Sequence, residues 1–197
     1  MLRIWRNRGE AERHAERSRS ISLAVSKDAF MNEPEMTAVE EVRDIFSILH
    51  DGTISSWNGD ATSLSLTVEC QYLAELIDPS FDRFYVELGE VKELFLLTWP
   101  NPADLPEQKL EQLKDVFAAE LEILSANIED GRVVVICNQH DIKFDYCGGS
   151  LLIDCATVKI YDQSKTTLTV ERLNEVCKSY WDRWSDKWGI SKSSDKA

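Results

Sequence analysis

The 197-residue chain has little of what most catalytic chemistry needs. Histidine occurs only three times. No G-x-S-x-G is present, which removes the usual nucleophile elbow. Neither G-x-x-x-x-G-K-[ST] nor G-x-G-x-x-G occurs, so the two common glycine-rich phosphate cradles are excluded. Gly148-Gly149 therefore reads as a turn between strands. The five cysteines, at 70, 137, 147, 155 and 177, contain no C-x-x-C pair. Short ligand spacings of the kind zinc needs are missing, so no metal or other cofactor is expected. No apolar run approaches the ~18 residues of a membrane-spanning helix, and Met1–Phe30 holds no apolar run of about 7–15 residues suited to a secretory signal. An odd number of thiols without such a signal points to a reducing, cytoplasmic compartment.

What the chain has in abundance is acid. Asp plus Glu is 35 against 22 for Lys plus Arg, a formal charge of −13. The excess is uneven: residues 1–30 sum to +3 and residues 31–197 to −16. A body so acidic repels phosphate backbones, so nucleic acid is not an expected partner, and neither is a membrane. The same field draws in a basic protein and speeds its capture. Acidity also serves plain solubility.

Hydropathy patterning places the fold. Residues 1–36 are rich in Arg and Ser without a core-building period and read as a disordered or spurious extension. A single domain is expected over 37–189, followed by a polar tail at 190–197. Thr37 and Glu40 form a capping box ahead of Val39, Val42, Ile45 or Phe46, and Leu49 at helical spacing. His50-Asp51-Gly52 is a turn. Residues 53–57 read as a strand ending in an Asn58-Gly59 hairpin turn. Leu64, Leu66, Val68, Cys70 and Tyr72 alternate with polar residues, as a half-buried strand does. Phe84, Val86 and Leu88 alternate again before a turn at Gly89-Glu90, and 91–98 form a central strand. Pro106–Ala119 has helical spacing at Leu110, Leu113 and Phe117. Strands follow at 121–128 and 133–137 around Asp130-Gly131, then at 141–146, 150–155 and 157–161. Thr169 caps a last helix whose stripe is Leu173, Cys177, Tyr180 or Trp181, Trp184 and Trp188, followed by Gly189. This pattern predicts an α+β domain: an antiparallel, hairpin-rich β-meander with one inserted helix and a Trp-rich C-terminal helix packed on it.

Candidate functional residues fall into three sets. The first is acidic: Glu69, Glu87, Glu90, Glu93, Glu120 and Glu122 lie on strands or at their ends. They would form a docking face for a basic protein, or simply keep a sheet face wet. The second is the pair of dipeptides His50-Asp51 and His140-Asp141. Imidazole plus carboxylate is a ligand set for zinc, manganese or iron, so four converging groups would make a metal-dependent hydrolase. The competing reading is two ordinary turns. The third is the tryptophan stripe, which either clamps the last helix to its own sheet or forms a contact in an assembly subunit. The clamp is the commoner use.

The segments IFSILHDGTISSW, SLSLTVECQYL, FYVELGEVKELFL, LEILSANIEDGRVVVIC and SYWDRWSDKW, in this order, resemble a family of uncharacterised small acidic bacterial proteins. These open with an "HDG" turn and have two hairpin-rich halves. They are similar to immunity proteins of contact-dependent and polymorphic toxin systems. The resemblance covers about residues 42–188 and transfers no functional residue. It implies a non-enzymatic interaction protein that neutralises a basic toxin through an acidic face.

Overall fold

A computed structural model of the chain describes residues 37–188. The expectations for 1–36, Gly189 and 190–197 lie outside the described residues. The described part is mixed α+β: an eight-stranded antiparallel sheet with four helices. In chain order these are α1 (Ala38–Ile48), β1 (Thr53–Gly59), β2 (Ser63–Glu69), α2 (Gln71–Ala74), β3 (Arg83–Pro100), β4 (Lys109–Leu110), α3 (Leu113–Val116), β5 (Leu121–Glu129), β6 (Arg132–Asn138), β7 (Tyr146–Tyr161), β8 (Thr167–Leu168) and α4 (Val170–Trp188).

Strand order is β4-β3-β2-β1-β5-β6-β7-β8, and β3 also pairs with β7. That extra pairing closes β1, β2, β3, β7, β6 and β5 into a ring. Closure removes sheet edges, and β4 and β8 are short strands added outside the ring. The weakest seam is between β1 and β5, where only Thr53↔Glu122 and Ile54↔Leu121 are paired. Beyond it α1 takes over the free edge of β5. The Ser47 hydroxyl donates to the Ala126 carbonyl at 3.2 Å, and the Asp51 N–H donates to the Ile123 carbonyl at 2.8 Å.

The α1 boundary follows the predicted capping box. The Glu40 N–H donates to Thr37 Oγ1, and the Thr37 N–H donates to Glu40 Oε2 at 2.9 Å. The Thr37 backbone N–H, helped by its hydroxyl, holds the Glu40 carboxyl below its ordinary value. Val42, Ile45 and Phe46 of α1 join Leu64, Leu66, Val68, Phe84, Val86 and Leu88 in one core. The alternation in β2 and in the first half of β3 is therefore the buried face that the sequence pattern predicts.

Several expectations change. The first hairpin turns one step later than Asn58-Gly59. Asp60 Oδ1 accepts from the Thr62 and Ser63 N–H groups, so the tight turn is 60–62. The carboxylate supplies the local partner that an Asn-Gly turn would otherwise have provided. β2 ends at Glu69, and Cys70 and Tyr72 enter the one-turn helix α2 instead of extending the strand. Gly89-Glu90 lies within one 18-residue strand, not at a turn, and the register against β7 shifts just beyond it, between Val91 and Glu93. The Glu90 and Val91 N–H groups are satisfied by the Thr62 and Ala61 carbonyls, and β7 pairs with both halves of β3.

Likewise 150–155 and 157–161 are one strand with a register shift, while 141–146 is mostly turn. Gly148-Gly149 lies inside β7. A Cβ at Gly148 would stand 2.2 Å from the Cys137 carbonyl oxygen, so close strand approach accounts for this glycine better than a turn does.

The inserted helix shrinks to α3. β2 accompanies β3 only as far as Gly89, leaving the second half of that edge unpaired. Residues 108–110 fill it: the Thr98 N–H donates to the Gln108 carbonyl at 2.9 Å, and the Gln108 N–H donates to Thr98 Oγ1 at 3.0 Å. Lys109 Nζ lies over the Phe95 ring at 4.0 Å. Edge pairing has overridden the helical spacing.

Candidate functional site: an acidic cavity at the β1–β5 seam

The weak seam opens on a cavity of about 480 Å³ lined by Thr53, Ala118, Ala119, Glu120, Glu122, His140 and Asp141. Its position follows from the pairing. Thr53 heads β1 and faces Glu122 on one side and Glu69 on the other. Because cross-strand partners share a face, Glu69, Thr53 and Glu122 form one row. Glu120 enters from the segment leading into β5. His140 and Asp141 come from the loop that joins β6 to β7.

That loop is held from inside by a residue chosen for neither charge nor metal affinity. Gln139 is buried. Its Oε1 accepts from the Asp141 N–H at 2.7 Å, and its Nε2 donates to the Tyr146 carbonyl. Buried amides that span a loop in this way fix it at both ends. His140 Nε2 lies 2.9 Å from Glu122 Oε2 across the cavity mouth. Asp141 accepts from the Lys143 N–H at 3.0 Å and contacts Lys143 Nζ at 3.2 Å. The Lys143 backbone N–H, helped by its ammonium, holds the Asp141 carboxyl below its ordinary value. Glu120 is exposed at the cavity wall. The lining thus offers oxygen acceptors and one imidazole, a surface complementary to ammonium or guanidinium groups.

Glu69, Glu87, Glu90 and Glu93 do not line this cavity. Glu69 lies in the same cross-strand row, 4.0 Å from Arg83. Glu87 accepts from the Ser63 hydroxyl at 3.0 Å and the Tyr161 hydroxyl at 2.9 Å. Glu93 is paired with Arg132 at 2.8 Å. Glu90 is exposed within β3, with φ of 50°.

The two His–Asp pairs are also separated. His50 and Asp51 build the turn from α1 to β1. Nδ1 of His50 is 3.0 Å from the Ser47 carbonyl, and its own carbonyl accepts from the Tyr72 hydroxyl at 2.8 Å. Its ring stacks on Trp181 with centroids 5.9 Å apart and planes at 7°. Neither residue lines the cavity that holds His140 and Asp141. Among the described residues, no group of three or more His, Cys, Asp and Glu side chains is placed to hold a metal ion.

The tryptophan stripe corrects a further expectation. Leu173 and Val176 are buried in the core, but Trp181, Trp184 and Trp188 are 39 %, 40 % and 63 % exposed. The rings contact one another in series, with centroids 5.9 and 6.3 Å apart. Only the first half of the stripe acts as the expected clamp.

Sequence inspection missed Thr53, Ala118, Ala119 and Gln139. Thr53 was legible as the start of a strand, but its position opposite Glu122 depends on a non-local pairing. Gln139 carried no signal beyond its place before a His-Asp turn. Comparison of the chain with protein-family models, curated proteins and solved structures finds no match. No helix among the described residues is long and apolar enough to cross a membrane.

Proposed function

We propose that this chain is a non-enzymatic, cytosolic interaction protein that neutralises a basic protein, in the manner of a bacterial immunity protein facing a toxin. The observation that carries this reading is the cavity at the β1–β5 seam, where Glu120, Glu122 and Asp141 gather around an open mouth. It sits in a domain whose residues 37–169 sum to −15. Long-range field and local acceptors have the same sign, so they steer a cationic partner and then hold it. Blocking a basic surface in this way needs no bond to be made or broken.

The test uses the basic product of an adjacent gene as bait for the full chain, by biolayer interferometry at about 50 and about 300 mM salt. Binding that is tight at the lower salt, and at least tenfold weaker both at the higher salt and in an E120Q/E122Q/D141N variant, supports the reading. No binding at low salt, or binding indifferent to the triple variant, overturns it.

A further inference from the structure

The outer half of α4 begins at Trp181, which stacks on His50 in the turn that leads into β1. Trp181 meets Trp184 at 71°, and Trp184 meets Trp188 at 46°, so neither outer ring is sandwiched between parallel rings. Residues 170–188 hold four basic and four acidic residues and are formally neutral, on a domain that is otherwise strongly negative. Lys178 is bridged to Asp182 at 2.7 Å. The chain's own Lys187 already lies 6.0 Å from the Trp188 ring centroid, at the outer limit of a cation–π contact. A second copy of this chain is a poor occupant, because it would bring another −15 domain against the first.

From this arrangement we propose that Trp184 and Trp188 are a docking site for arginine side chains of a basic protein partner. The inference rests on the basic-partner reading above and deepens it by naming the side chain and the anchors. Arginine is favoured over lysine for a physical reason. Its planar, weakly hydrated guanidinium stacks on an indole face, whereas an ammonium keeps its water. The acidic field gathers cations without regard to type, and the indoles select among them. Tryptophan and arginine are also the residues that most often dominate binding energy at protein interfaces.

The experiment titrates the full-length, 15N-labelled chain with capped octa-arginine and octa-lysine peptides, reading affinity by calorimetry and site by the indole N–H resonances. Octa-arginine should bind at least fivefold more tightly than octa-lysine and shift the Trp184 and Trp188 indole signals. A W184A/W188A variant should lose that preference while keeping its affinity for octa-lysine within twofold. W188A alone, which alters only the most exposed ring, should lose part of the preference and guards against a folding defect in the double variant. An E120Q/E122Q variant should weaken both peptides equally. Equal affinity for the two peptides in the unaltered chain, or an arginine preference untouched by W184A/W188A, overturns the inference. The two readings fail separately. A basic bait that binds the unaltered chain and W184A/W188A equally well sinks the arginine site alone. Octa-arginine selected by the indoles, with no bait bound at low salt, sinks the toxin-neutralising reading alone.

Discussion

The two halves of α4 carry one apolar stripe and meet different fates. Leu173 and Val176 are buried against the core, and Tyr180 packs on Tyr72 with ring centroids 4.6 Å apart. From Trp181 onward the stripe is partly open to solvent, and its ring contacts among the described residues are with Tyr180, with His50 and from one tryptophan to the next. Helical spacing makes a stripe, but the length of what it packs against decides how much is buried. α1 ends at Ile48 and α2 is a single turn, so the platform stops before the helix does.

The sharpest way to break this comparison is to shave both halves. Leu173→Ala should destabilise the chain by about 2–5 kcal/mol in urea unfolding, because it opens a cavity in a filled core. Trp184→Ala should cost about 1 kcal/mol or less, although it removes the larger side chain. Comparable losses would mean that the exposed half is structural after all. Tyr72→Phe tests the join between the halves. It deletes the hydroxyl that donates to the His50 carbonyl at 2.8 Å and should cost about 1 kcal/mol.

Thiol reactivity sharpens the same contrast between filled and open regions. Burial pushes the Cys70 and Cys137 thiols up to about 12 and Cys155 to about 11, whereas Cys147 is exposed. Iodoacetamide at pH 8 should therefore modify Cys147 first and leave these three until the chain unfolds, as read by peptide mass mapping. Early modification of Cys70 would show that α2 and the first half of α4 open together.

The smallest effect concerns the start of α4. The Glu171 carboxyl is held below its ordinary value by its own backbone N–H, and the Thr169 hydroxyl adds to this. A carboxyl lowered in the folded state contributes stability that is present above its unfolded pKa and is lost as pH falls through the folded value. Stability should therefore drop as pH falls below about 4.5, and Glu171→Gln should make the acid limb of a thermal-midpoint profile shallower. An unchanged limb would contradict the assignment.

Local chemistry was well legible in the sequence. The Thr37–Glu40 box, the Asp130-Gly131 turn with φ of 49° and 76°, and the cap in which Thr169 Oγ1 accepts from the Arg172 N–H at 3.1 Å all depend on neighbours a few residues away. So did the buried alternation of β2. Non-local events were not legible. Pairing of β3 with β7 along both halves carried the strand straight through the expected turn at Gly89-Glu90, and an unpaired strand edge pulled residues 108–110 out of a helix. The cavity followed the same rule. Glu120, Glu122, His140 and Asp141 stood out by type, but they were assigned to two different chemistries. Only the short β1–β5 seam shows that they share one mouth.

The most direct measurement is the salt and mutation dependence of binding between the full chain and a basic bait encoded beside it. An acidic docking protein predicts tight binding at about 50 mM salt that weakens at least tenfold by about 300 mM and when Glu120, Glu122 and Asp141 are neutralised together. Affinity that is flat across salt and indifferent to those three carboxylates would contradict it.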